Sequence, residues 1–169
     1  MSNAPNEIAL RDSIRRSFPA EAYTGRITRY DDADNPEMDD EKELYKALSG
    51  RKWTEVPKEL LRSQPDGYEL LTEEAFAAFL AAWLMDSLEN IDGENEVRNF
   101  LVYAFSPREG LIPDMTGFKI QRLRCLSPEQ RQTLRLLLSE FVERERSSYQ
   151  KKLASAAVAL IDGLGTPER

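Results

Sequence analysis

The chain contains no histidine. That absence removes the imidazole-activated nucleophile, the histidine proton shuttle and the usual catalytic zinc site, and with them most familiar hydrolase mechanisms. The single cysteine, Cys125, cannot form an internal disulfide, and its setting among Arg122, Arg124 and Leu126 fits a reducing, cytoplasmic interior. Those arginines would favour a thiolate, but with no imidazole to partner it an incidental small residue is the expected role. No run approaches the roughly 20 apolar residues of a membrane span, and no basic start leads into an apolar stretch. A soluble protein with no membrane partner is expected. Phosphate-cradling glycine loops and dinucleotide fingerprints are also missing. No catalytic residue, cofactor or metal ligand is therefore assigned.

What the chain does carry is charge, unevenly placed. Residues 1–96 hold 22 acids and 11 bases, whereas residues 97–169 hold 8 and 12. Such polarity steers encounters with a charged partner, or decorates a surface, without deciding the fold. The length of 169 residues fits one domain spanning 1–169, able to bury roughly two-thirds of the surface of its unfolded chain, with disordered ends at 1–5 and 165–169.

Hydrophobic spacing points to an all-α bundle of about six helices, with at most one or two short strands near 26–30 or 118–124. Asn6 can cap a first helix carrying Ile8, Ile14 and Phe18 and ending before Pro19. A second starts at Asp39 amid acids that suit the helix dipole, carries Leu44, Tyr45 and Leu48 toward a core, and ends at Gly50, where a left-handed cap belongs. Pro57 opens a short helix with Leu60 and Leu61, closed by the Gln64-Pro65-Asp66-Gly67 turn. Thr72 then caps the best helix of the chain, in which Phe76, Phe79, Leu80, Trp83, Leu84 and Leu88 recur at three- and four-residue spacing. Alanines at 75, 77, 78, 81 and 82 fill its other sides, so neighbours can approach from several directions and the helix should sit at the centre.

A helix over 95–104 offers Val97, Phe100, Leu101 and Ala104, and Pro107, Gly110 and Pro113 predict an irregular connection to about Phe118. Ser127-Pro128-Glu129-Gln130 is a capping-box start with proline at the first helical position. No proline or glycine interrupts residues 129–162. One helix of that length would span about 50 Å, more than the roughly 40 Å of a compact domain this size. Its apolar stripe of Leu134, Leu137, Leu138, Phe141 and Val142 lapses over 143–148 and resumes with Tyr149, Leu153, Ala156, Ala157, Leu160 and Ile161. A break near Ser147 is expected. A helix that instead left the domain would need a second surface, and a homodimer through 149–164 would supply it.

The residues expected in the core are Trp53, Phe76, Phe79, Leu80, Trp83, Leu84, Leu134, Leu138 and Phe141. Trp53, between two short helices, can close a core or anchor a partner. Core closure is the favoured reading. Of the polar constellations, one is acidic: Asp31, Asp32, Asp34, Glu37, Asp39, Asp40, Glu41 and Glu43 form a candidate partner surface. Asp32, Asp34, Asp40 and Glu43 occupy positions 1, 3, 9 and 12 of a calcium loop, but Pro36 at position 5 offers no side-chain oxygen and Glu37 stands where the sharp turn needs glycine. A solvated acidic loop entering a helix fits better. Lys119, Arg122, Arg124, Arg131 and Arg135 form a basic cluster. Without interleaved aromatics, and with a net charge of −7, it argues for internal pairing with the acidic half rather than for nucleic acid.

The series Gly50-Arg51-Lys52-Trp53-Thr54-Glu55-Val56, Leu70-Leu71-Thr72-Glu73-Glu74-Ala75-Phe76, Leu80, Leu84 and Leu126-Ser127-Pro128-Glu129-Gln130 resembles a bacterial family of uncharacterised proteins over roughly residues 8–145. One departure is Ala81-Ala82-Trp83-Leu84, where the family favours a proline after the aromatic stretch. These are cap and core residues. The resemblance implies a shared all-helical fold and carries over no catalytic residue.

Three function classes are compatible with this reading. The first is a noncatalytic protein-interaction domain, in its sharpest form an immunity-type inhibitor that masks a basic protein with its acidic face. The second is a carboxylate-based metal- or small-ligand-binding protein or enzyme, for which Asp32, Asp34, Asp39 and Asp40 are the available cluster. The third is a dimerisation or structural role for the last helix.

Overall fold

The computed structural model describes residues 4–29, 39–89, 91, 94–107 and 114–164, with backbone alone at 4–5 and 114–116. Eight α-helices and no strand lie among them. They are α1 (Ala4–Ser17), α2 (Asp39–Leu48), α3 (Lys58–Ser63), α4 (Glu73–Ser87), α5 (Glu96–Phe105), α6 (Asp114–Cys125), α7 (Pro128–Arg144) and α8 (Ser148–Gly163). Two 3-10 turns, Trp53–Glu55 and Gly67–Leu70, bracket α3. The all-α expectation holds, with α6 as the helix that was not foreseen. Of the ends expected to be disordered, Ala4 and Pro5 belong to α1, while 1–3 and 165–169 lie outside the described residues.

Helix α4 is the hub. The Thr72 hydroxyl accepts from the Ala75 N–H, satisfying one of the donors a helix start leaves over. Phe76, Phe79, Leu80, Trp83 and Leu84 are fully buried, and Ala75, Ala81 and Ala82 are buried with them. A helix apolar on all sides must be covered on all sides. Here α1, α3, α5, α6 and both 3-10 turns supply the cover. Removing each large side chain from water contributes about 1.5–3 kcal/mol, and edge-on ring contacts orient them: Tyr68 with Trp83 at 5.8 Å and Tyr23 with Phe79 at 5.7 Å. The helix runs unbroken through Ala81-Ala82-Trp83-Leu84. All nine residues expected in the core are buried, Trp53 included.

The segment after α1 is irregular and is sewn down by backbone hydrogen bonds. Tyr23 N–H donates to Arg51 O, Gly50 N–H to Tyr23 O and Thr72 N–H to Ile27 O. Gly50 has φ +69°, the left-handed cap expected there. The strand anticipated at 26–30 amounts to one antiparallel bridge between Thr28 and Leu71, with Tyr30 outside the described residues.

Four local expectations are overturned. Asn6 does not cap α1, because the helix already starts at Ala4; its amide donates instead to a Glu140 carboxylate oxygen on α7. Ile8, Tyr45 and Phe100 follow helical spacing but stand 61%, 53% and 38% exposed, because their helices pack through neighbouring stripes. The irregular connection stops before Asp114, with 108–113 outside the described residues. Residues 118–124 are helix rather than strand: the buried side chains are Lys119, Arg122 and Leu123, followed by Leu126, an i, i+3, i+4, i+7 stripe half made of cations.

At the C-terminal end the expected break is present. α7 stops at Arg144, where the apolar stripe lapses, and Ser147 caps α8 by accepting from the Gln150 N–H. α8 then folds back on α7 and α5, burying Ala154, Ala157 and Ile161. Alanines on this stripe allow the close approach, and Arg135 of α7 holds Asp162 of α8 through two hydrogen bonds.

Candidate functional site

The acidic surface expected at 31–43 is partly visible. Asp31, Asp32, Asp34 and Glu37 lie outside the described residues, while Asp39, Asp40, Glu41 and Glu43 form the first half of α2. Helical geometry then sorts them. Glu41, Leu44 and Leu48 share the inward stripe and are buried, so Glu41 does not belong to the surface. Asp39, Asp40 and Glu43 face outward with Lys46, and Glu43 accepts from the Gln64 amide at 2.8 Å. Three acids in the first turn also suit the positive end of the helix dipole. Beside them stands the exposed ring of Tyr45.

Of the calcium-loop residues, Asp40 and Glu43 are on α2 and Asp32 and Asp34 lie outside the described residues. Among the described residues no group of three or more acidic or sulfur side chains is placed to hold a metal ion.

The basic cluster is dispersed by the fold, and three of its members, Lys119, Arg122 and Arg131, donate to backbone carbonyls. Lys119 is buried and donates to the carbonyls of Tyr103 and Ser106 at 2.8 and 2.6 Å, closing the C-terminal end of α5. Arg122, 4% exposed, donates to the carbonyls of Tyr68, Glu69 and Leu71, the last two at 2.8 and 2.7 Å. Its guanidinium lies 4.7 Å from the Phe76 ring centre and 4.9 Å from that of Phe118. Arg131 donates to the carbonyls of Leu123 and Leu126, capping the end of α6. Arg135 pairs with Asp162, inside the basic half itself. Arg124 is the member left exposed.

Cys125 is half-buried, and burial, reinforced by Glu73, pushes its thiol pKa up to about 11 against the smaller opposing pull of Arg122. Its S–H donates to the Arg122 carbonyl at 2.9 Å. The thiolate that flanking arginines would favour is thus disfavoured by desolvation. Sequence reasoning missed the roles of Lys119 and Arg122 altogether. Their signal was available only as two cations on an otherwise apolar helical stripe.

No helix among the described residues is long and apolar enough to cross a membrane. Comparison of the chain with protein-family models, with curated proteins and with solved structures returns no match.

Proposed function

We propose that this is a noncatalytic protein-interaction domain that engages a basic protein partner through the outer face of α2. The observation that carries the reading is Tyr45, 53% exposed on a helix whose neighbouring outward positions are Asp39, Asp40 and Glu43. Tyrosine is the residue type that anchors interfaces, combining a large apolar ring with a hydrogen-bonding tip, and surrounding acids steer a cationic partner onto it. The immunity-type inhibitor is the sharpest form of this proposal, in which the acidic face covers a basic toxin. Arg122 and Cys125, whose ionisation burial shifts, are both engaged with backbone carbonyls, which supports a structural role for them.

A homodimer through 149–164 is less well supported. Ala154, Ala157 and Ile161 are already covered by α7 and α5, so a second copy would find chiefly Tyr149 exposed.

A photo-crosslinking residue in place of Tyr45, with crosslinking in the native host, tests the proposal. The expected product is one adduct with a basic protein, lost when Asp39, Asp40 and Glu43 are together changed to lysine. An adduct indifferent to that charge reversal, or none, would overturn it.

A further inference from the structure

Tyr68 and Arg122 are 1% and 4% exposed, and each keeps one polar group that no hydrogen bond reaches among the described residues, the phenol hydroxyl and the Nε–H. The other two nitrogens of that guanidinium donate to the carbonyls of Tyr68, Glu69 and Leu71. Buried polar groups in folded proteins are, in the large majority, hydrogen-bonded to protein or to ordered water. Two exceptions whose side chains line one cavity ask for a shared partner.

That cavity has a volume of about 20 Å³ and lies where the Gly67–Leu70 turn meets α4, α5 and α6, with the rings of Phe76, Phe105 and Phe118 in its walls. A space of about 10–15 Å³ holds one water, so a single particle of that size fits and an organic ligand does not. The Arg122 Nε–H can donate and cannot accept, which makes the partner an acceptor. Burial first, and then the charges of Glu69 and Asp66, push the Tyr68 phenol pKa well up, so at neutral pH it keeps a proton to give. The partner need not be charged. Three carbonyl oxygens already accept from the Arg122 guanidinium, and Glu69 favours its charged form. A water oxygen accepts two hydrogen bonds, and two polar partners suffice to hold a buried water.

We propose that this cavity is the site of one structural water, which accepts from the Tyr68 hydroxyl and from the Arg122 Nε–H. It completes the Arg122 fork: two nitrogens hold the turn by its carbonyls, and the third holds it through the water and the Tyr68 side chain. The Gly67–Leu70 turn is thereby joined to α6 by every nitrogen of one guanidinium.

A crystal structure of the unaltered protein, at a resolution that shows ordered solvent, should place a water within hydrogen-bond distance of both Tyr68 Oη and Arg122 Nε. Either group bonded directly to a protein acceptor, or no ordered water between them, would overturn the proposal. Anomalous scattering at that place in bromide-soaked crystals would mark an anion and do the same. Tyr68→Phe keeps the ring and removes the hydroxyl. If the hydroxyl holds a water, Tm should fall, by about 3 °C for one hydrogen bond in a chain of this size. If the hydroxyl has no partner, removing it relieves an unpaired buried group and Tm rises. Oxygen-17 relaxation dispersion, which reports long-lived internal waters in solution, should show one fewer in the variant. An unchanged number of such waters, or a Tm at or above that of the unaltered protein, counts against the site.

Discussion

The indole N–H of Trp53 donates to the carbonyl oxygen of Phe18 at 2.9 Å, joining groups 35 residues apart beneath α4. The carbonyl belongs to the first residue beyond α1, where helix geometry leaves acceptors unpaired. Trp53→Phe keeps most of the ring and strands that acceptor. A loss of about 1–3 kcal/mol in urea unfolding is expected. A change within a few tenths would show that the bond is replaceable.

Arg122 serves three carbonyls with one planar fork. Arg122→Lys keeps the charge and loses the fork, so a destabilisation of about 2–4 kcal/mol is expected. Arg124→Lys, two residues on and exposed, is the matched control and should leave stability unchanged. Equal effects from the two substitutions would remove the structural role assigned to Arg122.

With its pKa near 11, the Cys125 thiol holds its proton at neutral pH. Alkylation by iodoacetamide should therefore be at least about a hundredfold slower in the folded protein than in urea, where an ordinary thiol pKa near 8.5 returns. Comparable rates would show the site to be open and ionisable.

Asp86 is buried at the end of α4, and burial followed by Glu89 raises its carboxyl pKa, with Arg62 and Lys58 opposing. The folded protein thus holds this proton more tightly than the unfolded chain does. The stability so gained is complete below about pH 4 and is lost as pH rises through the folded pKa. Asp86→Asn carries no charge to desolvate and should exceed the unaltered protein in stability at about pH 7, the gap closing toward about pH 4. Denaturation curves across that range read the sign directly, and a gap independent of pH would count against burial as the cause.

Ile161 anchors α8 on the body of the protein, 7% exposed. Ile161→Ala should lower stability by about 2–4 kcal/mol. Removing the chain after Ser147 should leave α7 and α5 with uncovered apolar faces and a less cooperative thermal transition. A truncated chain that melts as sharply and as high as the whole would show that α8 is an appendage.

Local grammar made much of this fold legible. Thr72, Ser127 and Gly50 each announce a helix end through chemistry confined to a few residues, and each stands where that chemistry places it. The lapse at 143–148 likewise locates the turn before α8. What escaped depends on distant partners. Lys119 and Arg122 occupy core positions because carbonyls 13 to 54 residues away need donors there, and an apolar-polar pattern cannot register a buried cation. Phe118-Lys119-Ile120 therefore alternates like a strand while folding as a helix. Tyr45 and Ile8 show the converse, since spacing says which residues share a face without saying which face a neighbour covers. Of the acidic run, Asp39, Asp40 and Glu43 stand outward on α2, and the inward turn of Glu41 needed coordinates.

The docking of α1 against α7 also has a time dimension. The Ser17 hydroxyl meets that of Thr133 at 2.9 Å, 116 residues further along, and Asn6 meets Glu140. At roughly 5–20 residues per second, a ribosome needs on the order of ten seconds to make the stretch between them. Throughout that interval the earliest helix has emerged without the surface it packs on, and its inner face of Leu10, Ile14 and Phe18 is open to chaperones.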